Sequence, residues 1–141
     1  MSTHNASCFC GAVKFTVSGE AAGAGYCHCQ SCRDWTAAPV NGFTLWPADA
    51  VQVTAGRELI DTTKRTEVSH RNFCTKCGGH VFVDHPGFGL VDIPAALIPD
   101  FDFQPGLHVH YQETVLPLRD GLPKFKDFPT DFGGSGEELP E

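Results

Sequence analysis

The chain has 141 residues, 41% of them hydrophobic and 11 of them phenylalanine, so it is long enough to bury one core and to form one domain. Its formal net charge is −7, from 10 basic and 17 acidic residues. This charge argues against non-specific binding to nucleic acid or to anionic membranes, since both need a positively charged face. There is no apolar run of about 18 residues, the length that a membrane-spanning helix needs.

The expected compartment follows from the first residues and from the cysteines. Residues 1–7 have neither the basic nor the apolar region of a secretory signal, so we expect a cytoplasmic protein in which thiols stay reduced. Seven cysteines therefore need an explanation other than disulfides, and an odd number also fits a disulfide framework poorly.

Short strands are the dominant prediction for the first four fifths of the chain. The 15 glycines and ten prolines indicate frequent turns, and apolar residues alternate with polar ones, as Val13, Phe15 and Val17 do. One or two helical turns are expected over residues 33–38, before Pro39. In chain order, the predicted strands are 13–17, 21–26, 40–46, 51–54, 57–61, 66–73, 80–84, 90–93 and 107–113.

The C-terminal part is predicted to be irregular. Residues 119–132 are rich in proline and aspartate but keep four large apolar side chains, which indicates an ordered strap without regular structure. Residues 133–141 are polar, acidic and glycine-rich, which is typical of disorder. The prediction is a mainly β single domain over residues 1–132, followed by a disordered acidic tail over residues 133–141.

Four of the cysteines form two similar motifs, and we call them together the four-cysteine cluster. Cys8-x-Cys10 and Cys74-x-x-Cys77 are each followed by glycine and then by a predicted strand, which is the pattern of a zinc knuckle. Four thiolates complete a tetrahedron, so this set predicts a structural zinc site. Buried core cysteines are the plainer alternative. A redox role for Cys74 and Cys77 is disfavoured because no βαβ pattern surrounds them.

The other three cysteines, Cys27, Cys29 and Cys32, form what we call the three-cysteine cluster. Three thiols so close in sequence must converge on one point, which suits a zinc ion with three protein ligands. The spacing leaves two interpretations open. One is a second structural site completed by a protein side chain, and the other is a site whose fourth position stays open for water or substrate, as in catalytic zinc sites.

Two residues beside these cysteines are candidates for a chemical role. His28 lies between two of the expected ligands, so its side chain is expected to point away from the metal. Arg33 can offset the thiolate charge or bind a substrate carboxylate through two hydrogen bonds. Each remaining histidine is more typical of a surface or strand position than of a metal ligand; these are His4, His70, His80, His85, His108 and His110.

Three cysteine motifs in this order resemble the glutathione-dependent formaldehyde-activating enzyme family, which includes the centromere protein V-like proteins. They are Cys8-x-Cys10-Gly11-x-Val13-x-Phe15, Cys27-His28-Cys29-x-x-Cys32-Arg33 and Phe73-Cys74-x-x-Cys77-Gly78. The later sequence Gly121-Leu122-Pro123-x-Phe125 is similar to a C-terminal element of that family. The resemblance covers nearly the whole chain.

The resemblance implies a fold, two metals and an activity. The fold is one of small antiparallel β-sheets stapled by zinc, like that of the Mss-four Rab-binding proteins. One structural zinc is implied on Cys8, Cys10, Cys74 and Cys77, and a second zinc on Cys27, Cys29 and Cys32, with an open position. The implied activity joins glutathione to formaldehyde as S-(hydroxymethyl)glutathione, a carbon–sulfur lyase reaction run in the direction of synthesis.

The expected roles follow from that reaction. A thiol would add to an aldehyde at the three-cysteine cluster, with His28 and Arg33 as the local proton donors. The expected partners are a small thiol such as glutathione and an aldehyde, with neither nucleic acid nor membrane. A non-enzymatic, zinc-stabilised protein-interaction module is the alternative. Chromatin binding, as in centromere protein V, is disfavoured by the net charge of −7.

Overall fold

Strands make up most of the regular structure. The computed structural model describes residues 2–141 and is 40% strand and 16% helix, which confirms the predicted mainly β fold class. The described residues form ten strands: β1 (Thr3–Ser7), β2 (Lys14–Ser18), β3 (Gly23–Cys27), β4 (Asn41–Pro47), β5 (Val51–Ala55), β6 (Ile60–Thr66), β7 (Ser69–Cys74), β8 (His80–His85), β9 (Leu90–Pro94) and β10 (His108–Val109).

The helices are short. The α-helix α1 covers Gln30–Thr36. The remaining helical segments are single 3-10 turns, namely Ala48–Ala50, Arg57–Leu59, Ala95–Leu97, Tyr111–Glu113 and Thr130–Phe132. Among residues 2–141, no helix has the length and apolar character needed to cross a membrane.

The described residues divide into two compact units. The first contains the residues up to Gly23 together with Thr44–Phe103, and the second contains Ala24–Phe43 together with Gln104–Glu141. Each predicted metal cluster belongs to one unit: the four-cysteine cluster lies in the first and the three-cysteine cluster in the second.

The first unit contains a three-stranded antiparallel sheet and a series of paired strands. In the sheet, β1 and β5 flank β2, and Phe15 pairs with Val53. In the series, β9, β8, β7 and β6 are successive antiparallel neighbours. Alternate residues of these strands, among them Phe15, Val81 and Ile93, point inward and form one hydrophobic core together with Val13 and Trp46.

The second unit is built around the parallel pair β3 and β10. Val109 pairs with Cys27, and His108 pairs with Tyr26. A Cβ atom on Gly25 would lie 2.4 Å from the carbonyl oxygen of Leu107, so only glycine fits at this position of β3. The glycine-rich strand predicted over residues 21–26 is found as Gly23–Cys27, and other backbone approaches it closely, as predicted.

Two predicted elements differ from the structure near the three-cysteine cluster. The strand predicted over 107–113 stops at Val109, because His110 has a left-handed backbone (φ 51°) and a 3-10 turn follows. The helix predicted from residue 33 begins instead at Gln30, because the Sγ of Cys29 accepts a hydrogen bond from the amide of Cys32 and caps the first turn.

The last residues have defined partners within the second unit. The carbonyl of Lys124 accepts from the amide of Leu139, and the carboxylate of Glu141 accepts from the amide of Gly121 and from Lys124 Nζ, at 3.2 and 3.0 Å. The boundary at residue 132 and the disorder of the tail stay predictions, with these contacts as the structural observation against which to test them.

Candidate metal centres

The four-cysteine cluster brings together sulfur atoms from two segments of the first unit that are far apart in sequence. All four Sγ atoms lie within 4.8 Å of one another, with Cys8 to Cys10 at 3.7 Å and Cys10 to Cys74 at 3.9 Å. A tetrahedral zinc with Zn–S bonds of about 2.3 Å separates its sulfur ligands by about 3.8 Å. Both measured separations match that spacing, so the donor set fits zinc.

Glycine shapes both loops of this cluster. Gly11 and Gly78 have φ values of +80° and +74°, which only glycine adopts without strain. The resulting turns aim backbone amides at sulfur: Val13 donates to Cys8 Sγ at 3.4 Å and Gly79 donates to Cys77 Sγ at 3.3 Å. Such hydrogen bonds stabilise thiolates, which is the form that binds metal.

The pKa values of these thiols show why the cluster needs a cation to hold all four as thiolates. Burial of Cys8 opposes ionisation, but hydrogen bonds from the Val13 amide and the Cys10 and Cys74 thiols outweigh it and lower its pKa to about 6. The amide of Ala12 favours the Cys10 thiolate, yet burial and the neighbouring thiols raise the pKa of Cys10 to about 11. Adjacent sulfurs therefore cannot all ionise unless a cation balances their charge.

The three-cysteine cluster lies where β3 ends and α1 begins. Cys27 is the last residue of β3, Cys29 caps α1, and Cys32 lies in the first turn of that helix. Their three Sγ atoms lie within 4.8 Å of one another. Cys27 is buried, whereas Cys29 and Cys32 are partly exposed, so the point on which the sulfurs converge borders solvent.

The same charge argument applies to this cluster. Hydrogen bonding with the Cys29 and Cys32 sulfurs, together with burial, raises the pKa of Cys27 well above its usual value. Hydrogen bonds from the Cys27 and Cys32 thiols hold the pKa of Cys29 far below its usual value. One thiolate is thus stabilised by two thiols, and a divalent cation is what allows all three to ionise.

The described part of the chain, residues 2–141, supplies three ligand atoms to this cluster and no fourth. No histidine, aspartate or glutamate in that range joins the three sulfurs within 4.8 Å. The donor set fits a zinc ion with three thiolate ligands and one position open to a small molecule.

His28 points away from the sulfurs, as expected, into a buried hydrogen-bonded chain. Its Nε2 lies 2.8 Å from Nδ1 of His108, and its Nδ1 lies 2.8 Å from Oγ1 of Thr114. His28 and His108 are both 0% exposed. Burial, with the neighbouring His108 and Arg33, lowers the pKa of His28 to about 4, so this imidazole is neutral near pH 7.

The chain continues from His108 to a buried lysine. His108 Nε2 lies 2.7 Å from Oδ2 of Asp120, whose Oδ1 accepts from Lys124 Nζ at 2.5 Å. Lys124 is 1% exposed and also donates to Glu141. Burial favours the protonated acid, but the hydrogen bonds from Lys124 and His108 prevail and hold the pKa of Asp120 well below its usual range.

The carboxylate sets the direction of every hydrogen bond in this chain. Since ionised Asp120 can only accept, a His108 ring that carries one proton donates from Nε2 and accepts at Nδ1. His28 therefore donates from Nε2 and accepts from the hydroxyl of Thr114 at Nδ1. Both ring nitrogens of His28 are in use, which leaves it no free N–H for a ligand at the three-cysteine cluster.

Arg33 lies on α1, one residue after Cys32. Its Nε donates to the carbonyl oxygen of His28 at 3.0 Å, and its backbone amide donates to the carbonyl of Cys29. These bonds hold the side chain against the loop that carries the three cysteines. The terminal nitrogens of the guanidinium remain as donors for a carboxylate.

His110 directly follows β10, and Glu113 ends the 3-10 turn that comes after it. Oε1 of Glu113 accepts from the amide of Gln30, the residue after Cys29, at 3.0 Å. Its Oε2 lies 3.4 Å from Nδ1 of His110. The positive charge that His110 can carry lowers the pKa of Cys29, so the imidazole lies within electrostatic reach of this cluster.

Several of these residues were not predicted from the sequence. The alternating pattern predicts a strand that contains His108 and His110, and no sequence motif marks Glu113, Thr114, Asp120 or Lys124 as functional. They reach the cluster because β10 pairs with β3 and the irregular segment after β10 folds back on it. The only sequence signal is the four-residue spacing of Asp120 and Lys124, which is also common on exposed surfaces.

Comparison with known proteins decides the family. The family model described as "Glutathione-dependent formaldehyde-activating enzyme" matches residues 3–113, which is most of the chain. The chain belongs to this family. The matched range contains all seven cysteines and extends to Glu113, and it ends before Asp120 and Lys124.

A curated relative and a solved structure resemble the chain. A protein of Pyrenophora teres f. teres (strain 0-1), named "Putative glutathione-dependent formaldehyde-activating enzyme", is 32% identical over 96 residues, covering 65% of this chain and 50% of the relative. The chain thus spans about half the length of the curated relative that it matches. A crystal structure of a Rhodobacter sphaeroides protein has a TM-score of 0.58 at 20% identity, covering 70% of this chain and 90% of that one, which shows a shared fold.

Proposed function

We propose that this protein is a zinc-dependent enzyme of the carbon–sulfur lyase type that acts on thiol–aldehyde adducts. Its proposed substrates are glutathione and formaldehyde, which give S-(hydroxymethyl)glutathione, or a related thiol and aldehyde. Membership in the formaldehyde-activating family supports the substrate class. The proposed ligands are Cys8, Cys10, Cys74 and Cys77 for a structural zinc, and Cys27, Cys29 and Cys32 for a second zinc.

One observation carries this proposal. Three sulfurs converge at the three-cysteine cluster, and residues 2–141 bring no fourth ligand atom to them. A structural site would be closed by a fourth side chain, as the four-cysteine cluster is. A three-ligand site bordering solvent favours binding of a small molecule at the remaining position.

The reaction needs a thiolate held next to a carbonyl carbon. A zinc ion, when bound, would supply positive charge that lowers the pKa of a substrate thiol. The S–H bond breaks, sulfur bonds to carbon, the C=O π electrons move to oxygen, and the proton ends on that oxygen. The loop from Cys27 to Cys32 fixes the site of attack, so orientation contributes much of the rate.

Arg33 is the proposed binding residue for a substrate carboxylate. It is half-buried and fixed through Nε, so its remaining N–H groups are held in place and can donate to a carboxylate as a pair. Glutathione carries two carboxylates, and an acidic protein needs such a local cation to bind it. His28, the other predicted donor, has both ring nitrogens engaged and is better suited to positioning the loop.

Exchange of isotopically labelled formaldehyde tests the proposal. Formaldehyde and glutathione interconvert with their adduct without a catalyst, so the exchange rate is measured by carbon NMR with the wild-type protein, with Cys29→Ala and with no protein. We expect the wild type to accelerate exchange and Cys29→Ala to match the uncatalysed rate. Equal rates in all three samples would contradict the enzymatic proposal.

A control variant separates chemistry from folding in that experiment. Gln30→Ala changes the exposed side chain next to Cys29 and keeps the amide that bonds Glu113. It is expected to accelerate exchange as the wild type does. Loss of activity in Gln30→Ala would point to a disturbed loop rather than a lost zinc ligand.

A non-enzymatic interaction module is the second candidate. It is favoured by Phe9, which lies between two cysteines of the four-cysteine cluster and is 88% exposed. An exposed aromatic side chain on a rigid loop suits a protein partner. In that case Phe9→Ser would abolish complex formation, and Cys29→Ala would leave it unchanged.

The need for thiolates supports a reducing compartment. None of the seven cysteines forms a disulfide in the structure, and both clusters need thiolates rather than disulfides to bind zinc. We therefore propose a cytoplasmic location. A thiol-labelling experiment on cells would show unmodified cysteines protected by metal rather than oxidised.

A further inference from the structure

His110 combines two structural outliers beside the three-cysteine cluster. Its backbone is left-handed, with φ 51° and ψ 37°; among residues 2–141 the only other non-glycine residue with positive φ is Ala37. Its Nδ1 is buried and makes no hydrogen bond in the structure. Strained backbone and unsatisfied buried polar atoms concentrate at functional sites, because elsewhere they only cost stability.

Strand pairing places this residue one position beyond the residue that pairs with Cys27. Val109 pairs with Cys27, and its carbonyl accepts from the amide of His28 at 3.1 Å. His110 is the next residue, and its amide donates to the carbonyl of Asp127 at 2.8 Å. The ring packs edge-on against Phe128, with 4.4 Å between the ring centroids, so the imidazole is supported on one side.

Glu113 connects the imidazole to the cysteine loop. One carboxylate oxygen accepts from the amide of Gln30, next to Cys29, and the other lies 3.4 Å from Nδ1 of His110. Asp127 contacts His110 through its backbone carbonyl, and its carboxylate is engaged by Ser135 and by the amide of Phe128. Glu113 is thus the available acceptor for an Nδ1 proton, and such contacts often tighten only when substrate binds.

This arrangement follows the logic of a catalytic dyad. A carboxylate that accepts from Nδ1 fixes the tautomer in which Nε2 carries the lone pair, and it stabilises the imidazolium that forms when Nε2 takes a proton. A nucleophile and base oriented by a third group is the recurring pattern of activated nucleophiles. At this cluster the nucleophile is the incoming thiol.

We propose that His110, oriented by Glu113, is the acid–base residue that moves the thiol proton to the aldehyde oxygen. The inference rests on the proposed function, since it assumes that a thiol binds at the three-cysteine cluster. The S–H proton passes to Nε2 as sulfur bonds to carbon, and it returns from Nε2 to the oxygen that the opened C=O bond leaves negative. Atoms and electrons balance without an oxidant or reductant.

The decisive variant is His110→Gly, because glycine adopts φ 51° without strain and the fold is therefore expected to persist. We expect the catalysed formaldehyde exchange to slow by about 100-fold. Free imidazole added to the buffer fills the space left by the side chain and restores part of the rate. Ala37→Gly makes the same backbone change and is expected to leave the rate unchanged.

A proton count provides a readout that does not depend on turnover. Glutathione is titrated calorimetrically into the zinc-loaded protein at pH 7.5, in two buffers of different ionisation enthalpy, without aldehyde. We expect the wild type to retain the thiol proton on His110, and His110→Gly to release about one proton per glutathione bound. Glu113→Gln is expected to release an intermediate number, because imidazolium loses its stabilising carboxylate.

Each outcome decides between the two proposals. If glutathione does not bind the wild type, the proposed function fails and this inference fails with it. If it binds and both proteins release the same number of protons, the proposed function stands and the role of His110 is wrong. Loss of the second zinc from His110→Gly would also overturn the inference, because it would make His110 a metal ligand.

Discussion

Both cysteine clusters offer sulfur as the ligand atom, but we propose a structural role for one and a catalytic role for the other. The four-cysteine cluster joins residues far apart in sequence, has all four ligand atoms in place and has buried members, Cys8 and Cys74, within the hydrophobic core. The three-cysteine cluster takes its sulfurs from one short loop and has three ligand atoms. In our proposal, sequence separation and ligand number, rather than ligand chemistry, distinguish the site that stabilises the fold from the one that binds a small molecule.

The surroundings of the two clusters also differ, being apolar for one and polar for the other. In the four-cysteine cluster, Cys8 and Cys74 pack among apolar core residues, whose close packing resists any change of geometry, whereas Cys10 is exposed. Behind the three-cysteine cluster lies the buried polar chain of His28, His108, Asp120 and Lys124. Such a chain fixes the direction of each hydrogen bond and holds the loop in one orientation.

The largest expected effect is the loss of a ligand from the four-cysteine cluster. Cys74→Ser is expected to release the structural zinc and to destabilise the protein by about 5 kcal/mol or more, because zinc binding in closed sites contributes directly to folding. Thermal unfolding and elemental zinc content measure both effects. Val81→Ala, a core change in the same unit, should cost about 2 kcal/mol and keep both zincs. Cys74→Ser that folds and binds two zincs would refute the structural assignment.

The same change in the three-cysteine cluster should affect function rather than fold. Cys29→Ala is expected to retain one zinc per chain and a cooperative thermal transition while losing catalysed formaldehyde exchange. Only a short loop is closed by this site, so its metal contributes less to folding. If Cys29→Ala unfolded as Cys74→Ser does, the two clusters would both be structural and the comparison would break down.

Metal removal should distinguish the clusters in the unaltered protein. On titration with a chelator, we expect one zinc to leave first with loss of activity and the second to leave later with loss of the folded state, because three thiolates hold zinc less tightly than four. Zinc release is followed with a colorimetric indicator and the fold by circular dichroism. Simultaneous release of both ions would contradict the order.

A smaller effect is expected from the polar chain behind the three-cysteine cluster. Asp120→Asn removes the charge that pairs with buried Lys124, and we expect a loss of about 2 to 3 kcal/mol in the free energy of unfolding. Lys124→Met together with Asp120→Asn should recover part of it, because no unpaired charge then stays buried. Denaturant unfolding measures the differences, and an unchanged midpoint for Asp120→Asn would show that the pair contributes nothing.

The difference in unfolding free energy between the wild type and Asp120→Asn is expected to change with pH in one direction. The pKa of Asp120 is lower in the folded state than in the unfolded chain, where it is about 4, so its contribution is complete above that value and is lost as pH falls below it. The gap between wild type and Asp120→Asn should therefore be constant above about pH 5 and narrow on acidification. A gap that widens at low pH would contradict the assignment of charge.

The smallest effect tests the C-terminal segment. Oδ1 of Asp127 accepts hydrogen bonds from the amides of Phe128 and Ser135 and from the hydroxyl of Ser135. We expect Asp127→Ala to lower the thermal midpoint only slightly and to increase amide hydrogen exchange in residues 133–141. Rapid exchange of that segment already in the wild type would support the predicted disorder instead.

Sequence patterns alone predict the fold class and the grouping of the cysteines. Local patterns suffice for these, because a cysteine pair followed by glycine makes its own turn and alternating residues predict a strand without reference to distant segments. The partition of seven cysteines into sets of four and three matches the two clusters in the structure. The position of α1 was predicted within a few residues, and the cap by Cys29 that moved its start is itself a local contact.

The residues around the three-cysteine cluster come together through tertiary contacts that no local sequence pattern predicts. His108 and His110 are separated by one residue, yet one lies fully buried between His28 and Asp120 while the other lies near Glu113 with a strained backbone. Alternation predicts one continuous strand there, and the left-handed turn at His110 that ends it is not encoded by glycine or asparagine. The physical reason is that these environments come from segments about 80 residues apart, whose contacts form only when β10 pairs with β3.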